Sequence, residues 1–182
     1  KYKEALDYYK KSEVIKVKLN DKYGLSGIYI NLGNIFSDNK DSANAFLYLN
    51  KSLIISQEMK NEYYIGMIYN NMSKLYFEAG DLNKTMEYSE KGLALREKIG
   101  DKQGISYCLI SKGNALASIN KYNESLKCFN KAYTIGKEMN ALEILKSSSE
   151  GLSKSYSKTK NFELAYNFHV IFKQTCDSLQ NE

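Results

Sequence analysis

The stretch Asn31-Leu32-Gly33-Asn34-Ile35-Phe36, followed by Asp38-Asn39-Lys40-Asp41 and then Ala45-Phe46-Leu47-Tyr48-Leu49, decides the architecture. Adding 40 to each number finds the pattern again, so that Gly33 becomes Ser73, Gly113 and Ser153, while Ala45 becomes Thr85, Ser125 and Ala165. Phe36, Tyr76, Leu116 and Tyr156 form another row, as do Tyr8, Tyr48, Tyr88, Cys128 and Phe168. A fixed period of roughly 20 to 50 residues marks a repeat array, in which each unit is one supersecondary motif that buries its apolar face only against its neighbours. Within the unit the apolar positions have helical spacing: Leu25, Ile28, Tyr29, Leu32 and Ile35 in one segment, Phe46, Leu49, Leu53 and Ile54 in the next. The expectation is an all-α solenoid of antiparallel helix pairs, about nine helices in all.

Working outward, residues 1–22 read as the second helix of a partial unit, followed by units at 23–61, 62–101, 102–141 and 142–182. Tyr2 to Tyr9 matches the second half of a unit without its first half, which leads to the expectation that the chain is cut from something longer. Punctuation falls at the unit boundaries and between helices. Gly80-Asp81 and Gly100-Asp101 each place a residue tolerant of the left-handed conformation before a helix-capping carboxylate, and Asn20-Asp21 and Asp41 offer further caps. Gly33 is expected to face Ala45, Ser73 to face Thr85, Gly113 to face Ser125 and Ser153 to face Ala165, because small side chains let paired helices approach closely. The serine-rich run Ser147 to Ser157, with Gly151 inside it, is expected to form the loosest helix.

The chain has 182 residues, no proline and no tryptophan; 43% of residues are hydrophobic and 26% charged, which suits a folded helical array rather than a disordered segment. Its longest apolar runs are far short of the ~20 residues needed to span a bilayer, so membrane insertion by this segment is not expected. The net charge of +5 is spread, with lysines alternating with acidic residues along the helices. Groove binding to nucleic acid needs a concentrated basic footprint, and none is legible here. Three cysteines, Cys108, Cys128 and Cys176, have no spacing for a disulfide scaffold or a CxxC metal site, and Cys108 and Cys128 read as small apolar residues.

At its repeating positions the sequence resembles the tetratricopeptide repeat. The matching residues are Tyr29, Leu32-Gly33, Phe36, Ala45, Leu49 and Ser52 in the first full unit, and Leu109, Gly113, Leu116, Ser125, Phe129 and Ala132 in the third. Lys112 stands at a leucine position, and the family's proline after the second helix is missing. The 40-residue step is similar to the longer-helix variant of that family. The resemblance implies a right-handed α-α superhelix whose first helices line a concave groove. The segment Ala165-Tyr166-Asn167-Phe168-His169, with Phe172-Lys173 and Asp177 to Glu182, resembles the final repeat of bacterial sensor kinases and transcription regulators.

Catalytic chemistry finds little support. His169 is the only histidine, which excludes a multi-histidine metal site, and no phosphate-binding loop, nucleophile elbow or HExxH pattern occurs. His169 reads as a partly buried packing residue. No enzyme activity, cofactor or metal is expected.

The resemblance turns attention to the groove. The positions that it places there are Asn34, Lys74, Asn114 and Lys154; beside them Asn31, Asn71 and Ser111; then Asn70 and Glu150; then Phe77 and Tyr107. Amide side chains carry a donor and an acceptor and can pair with the main chain of an extended peptide whatever its sequence, while the two lysines would favour acidic groups. The expected function is therefore a non-enzymatic module that captures a protein or peptide segment, as the input region of a larger signalling protein. The competing expectation is a scaffold segment that assembles end to end, as a homo-oligomer, through the uncovered faces of its terminal helices.

Overall fold

A computed structural model describes residues 2–181. Those residues form nine helices: α1 (Tyr2–Lys18), α2 (Lys22–Asp38), α3 (Ser42–Glu58), α4 (Glu62–Glu78), α5 (Leu82–Ile99), α6 (Lys102–Ser118), α7 (Tyr122–Met139), α8 (Leu142–Lys158) and α9 (Phe162–Gln180). The turns fall on a 20-residue beat. Asn20, Lys40, Lys60, Gly80, Gly100, Asn120, Asn140 and Lys160 all have positive φ, so each helix ends on one left-handed residue and the next begins at once. Only Gly80 and Gly100 adopt this conformation free of the Cβ clash with the following carbonyl.

The following residue caps the next helix in six of the eight turns. The carboxylate of Asp21 accepts the Gly24 N–H at 2.8 Å, Asp41 accepts Asn44 at 3.1 Å, and Asn61, Asp81, Asp101 and Asn161 do the same for α4, α5, α6 and α9. Lys121 and Ala141 stand at the same place before α7 and α8 and supply no side-chain cap.

Each helix packs on its chain neighbours, and α2, α4, α6 and α8 also touch one another in succession, whereas α3, α5, α7 and α9 do not. Contact within one layer and separation within the other bends the array, with the even-numbered helices on the inside. The solenoid is all-α, and α1, the first of the described helices, buries no residue completely.

The small pairs close the hairpins in two ways. At Gly33 and Gly113 the missing side chain admits a large partner: a Cβ at Gly33 would stand 2.8 Å from the Leu49 side chain, and one at Gly113 2.8 Å from the Phe129 ring. At Ser73 and Ser153 the hydroxyl donates across the hairpin to the Thr85 and Ala165 carbonyls, each at 2.9 Å. This alternation corrects the expectation for His169. Ser153 fills the space that Gly113 leaves for Phe129, and among the described residues no helix follows α9 to cover it, so His169 is exposed rather than partly buried.

The core falls into two clusters along the hairpins, with Leu32, Leu49, Ile68, Leu75 and Met72 in the first half and Leu109, Phe129, Ile144 and Leu152 in the second. An aromatic stack recurs beside it: Phe36 on Tyr48, Tyr76 on Tyr88 and Tyr156 on Phe168, with ring centres 5.3, 5.3 and 5.8 Å apart. The serine-rich run forms α8 without a break, and Ser148 and Ser149 return their hydroxyls to the Ile144 and Leu145 carbonyls at 2.6 Å.

Candidate functional site: the concave groove

The even-numbered helices run side by side, so residues at 3- and 4-residue spacing on each of them form stripes along the inner surface. On α4 that stripe is Tyr63, Met67, Asn70, Asn71 and Lys74; α2 contributes Asn34, Ser37 and Asp38, and α6 contributes Gln103, Gly104 and Tyr107. Together they surround a cavity of about 470 Å³, floored by Leu49 and Leu75. The cavity runs obliquely from the start of α4 and α6 to the end of α2.

Five of the sequence-derived positions line this cavity: Asn34, Asn70, Asn71, Lys74 and Tyr107. The other six lie outside it. Asn31 is exposed on α2, Phe77 is half-buried near the end of α4, Ser111 and Asn114 are half-buried on α6, and on α8 Glu150 is half-buried and Lys154 exposed. Asn71 donates through Nδ2 to Asn34 Oδ1 at 2.7 Å, tying α4 to α2 and leaving the Asn34 amide nitrogen and the Asn71 carbonyl oxygen for other partners. The lysines add little net charge to the surface, since Lys74 lies 3.6 Å from Asp38 and Lys154 lies 2.6 Å from Glu150.

Two residues of the cavity come from the outer layer, Leu49 of α3 and a charged one from α5. Arg96, the only arginine among 26 basic residues, starts on α5 and passes between α4 and α6. Gly66 and Gly104 make the passage: a Cβ at either would fall 2.8 or 2.6 Å from the Arg96 Nε. The guanidinium is almost wholly covered, pairs with Asp101, and lies 4.7 Å from the centre of the Tyr63 ring. Asp101 is thereby used twice, because its other carboxylate oxygen caps α6 through the Gly104 N–H at 3.0 Å.

Sequence reasoning missed Arg96, although a signal was present. The row Lys16, Ser56, Arg96, Gly136 and Cys176 carries a long cation at two positions, and each of the two is followed five residues later by an aspartate, Asp21 or Asp101, and eight residues later by a glycine, Gly24 or Gly104.

Three buried side-chain polar atoms lack a hydrogen-bond partner among the described residues: Ser37 Oγ, Asn70 Oδ1 and Arg96 Nε. All three belong to residues of this one cavity. A buried polar group without a partner costs about 1 to 3 kcal/mol, so their gathering in one place is an energetic feature of the groove.

Elsewhere chemistry is scarce. Burial pushes the Cys108 thiol up to about 12, even with Arg96 as the opposing influence, and it lies against Gly92 deep in the core. No group of three or more His, Cys, Asp or Glu among the described residues could hold a metal ion, and no helix among them is long and apolar enough to cross a membrane.

Comparison with known proteins decides the family. Two family models, both described as tetratricopeptide repeat, match residues 26–58 and 64–138, together more than half of the chain. The chain belongs to the tetratricopeptide-repeat family. Tetratricopeptide repeats are in general protein-interaction modules. Among solved structures, BtubC (BKLC) from P. vanneervenii is similar over 100% of this chain and 75% of its own, with a TM-score of 0.81 and 16% sequence identity, a likeness of fold alone. No curated protein matches the chain.

Proposed function

We propose that this tetratricopeptide array is a non-enzymatic module that captures an extended segment of a partner protein in its concave groove. One observation carries the reading: the three unpartnered buried polar atoms all belong to residues of a single cavity, on the inner layer, among three asparagines. An extended chain offers an N–H and a C=O at every residue, the complement of Asn34, Asn70 and Asn71. The oblique course of the cavity across three parallel helices suits a strand-like ligand better than a helix lying along one of them. The likeness of the last repeat to those of bacterial sensor kinases and regulators supports reading it as the input region of a larger signalling protein.

The test is selection of a displayed random-peptide library on the purified chain, repeated on the variant Asn34→Ala/Asn71→Ala/Lys74→Ala. The expected result is a set of peptides that bind the wild type and lose at least about tenfold in affinity for the variant, while its melting temperature falls by no more than a few degrees. Selected peptides that bind both proteins equally would end the groove reading.

A second reading, the scaffold, is favoured by α1. Its Tyr8 is 72% exposed, where the equivalent Tyr48 and Tyr88 stack on an aromatic ring of the preceding helix, and Leu19 just past its end is 68% exposed. Light scattering that shows concentration-dependent growth, abolished by Tyr8→Glu, would support assembly through that face; a monomer at high concentration would remove it.

A further inference from the structure

The two charged pairs of the cavity constrain what it can hold. Arg96 is matched by Asp101 and Lys74 by Asp38, so the lining carries no net charge. An acidic ligand group would meet two resident carboxylates, and a basic one two resident cations. What remains unmet is a donor and an acceptor of neutral ligand chemistry: Arg96 makes its one intramolecular hydrogen bond to Asp101 and has an unpartnered Nε, and Asn70 has an unpartnered Oδ1.

Both atoms are covered in the unbound protein, so a ligand meets them only as the two side chains turn into the cavity. Arg96 Nε packs on Gly66, and Asn70 lies one helical turn further along the same face of α4, a rise of about 6 Å. A primary amide has its oxygen and nitrogen roughly 2 Å apart, and two hydrogen bonds of about 2.9 Å let it span a donor and an acceptor separated by 6 to 8 Å. Its oxygen would face the guanidinium and its nitrogen the Asn70 carbonyl. Tyr63 and Tyr107 flank this end of the cavity with flat surfaces for the methylenes and for the plane of the amide.

We infer that the Arg96–Asn70 end of the groove is a specificity pocket for an uncharged amide side chain, glutamine or asparagine, of the captured segment. The inference rests on the peptide-groove reading above and replaces the acidic preference expected from the lysines. The requirement is double: a group that only accepts leaves Asn70 unmet, and a group that only donates leaves Arg96 unmet. Leaving a buried polar group unpaired is what makes a pocket reject a near-isostere.

The probes are pools of eight-residue peptides, degenerate at all positions except a central one fixed as Gln, Glu, Lys or Ala. Their affinities are compared on the wild type, on Asn70→Ala and on Arg96→Met, the first variant being chosen because it leaves the Arg96–Asp101 pair intact. The expected result is at least about fivefold preference for the Gln pool over the Glu, Lys and Ala pools, reduced to less than about twofold in Asn70→Ala with the Ala pool bound as before. Because Arg96 is the only arginine, its Nε–H gives one resonance in a ¹⁵N-labelled sample, and the Gln pool should shift it more than the Ala pool does. Equal binding of all four pools would overturn the pocket while leaving the groove reading standing. Preference for the Glu pool would overturn it in favour of an anion site, and binding of no pool would remove both.

Discussion

Phe129 seats its ring against Gly151 of the next hairpin so closely that a Cβ on Gly151 would lie 2.5 Å from two ring carbons. The same ring atoms meet Gly113, so one buried aromatic links α6, α7 and α8 through two glycines. Glycine inside a helix costs about 1 kcal/mol relative to alanine, and this pair of sites explains why the array carries that cost.

Gly151→Ala should therefore destabilise the protein despite its better helix propensity. Overpacking costs typically 1 to 3 kcal/mol, against about 1 kcal/mol gained from propensity, for a net loss of about 1 to 2 kcal/mol. Adding Phe129→Leu, which restores the side chain that this row holds opposite Gly33, should recover part of it. Denaturant unfolding of the single and double variants measures both.

The left-handed turns give paired predictions of opposite sign. A Cβ at Gly100 would meet nothing within 4 Å, so Gly100→Ala carries only the conformational cost of φ +70, about 1 kcal/mol. Lys160, at φ +63, bears that cost already, and Lys160→Gly should gain a few tenths of a kcal/mol after the greater flexibility of the unfolded chain is subtracted. Melting temperatures of the two variants should move in opposite directions.

Asp101 and Asp81 both cap a helix, but only Asp101 also holds a covered guanidinium. Loss of a cap costs about 1 kcal/mol, and removing one partner of a buried ion pair about 3 to 5 kcal/mol. Asp101→Ala should cost several times as much as Asp81→Ala in the same unfolding assay.

How much of this was open to sequence reading depends on what the period encodes. The helix pairs, the left-handed glycines at 80 and 100, the caps at Asp21 and Asp41 and the facing small residues were legible because each is a local or same-step relationship that repeats. The cavity was half legible. Periodicity carries a side chain to the same place on each inner helix, which located Asn34, Asn71 and Lys74, but it says nothing of whether the neighbouring helix leaves space beside it, so Asn114 and Lys154 fall outside. Arg96 was missed for a different reason: its destination is set by two glycines on two other helices, Gly66 and Gly104.

The caps also set the behaviour of the protein in acid. Lys16, 2.6 Å away, and the Gly24 N–H hold the Asp21 carboxyl below the ordinary aspartate value, and the Asn44 side chain and backbone N–H do so for Asp41. A carboxylate whose pKa is depressed by folding adds stability that is complete above the unfolded value, about 3.9, and is lost as pH falls through the lower folded one. Asp21→Asn/Asp41→Asn keeps a capping oxygen and removes the titration. Its stability deficit should be constant from about pH 5 to 8 and shrink below about pH 4; a deficit unchanged in acid would show that the depressed carboxylates do not contribute.

The most direct test of the groove is to ask where a natural partner touches. A photo-crosslinking benzophenone amino acid placed at Tyr107, in the cavity, is compared in cell extract with the same group at Lys131 on α7 and at Tyr166 on α9. Capture by the concave surface predicts a discrete adduct from position 107, suppressed by Asn34→Ala/Asn71→Ala, and none from the other two. Adducts from positions 131 or 166 with none from 107 would contradict it and assign the function to the outer layer or the ends of the array.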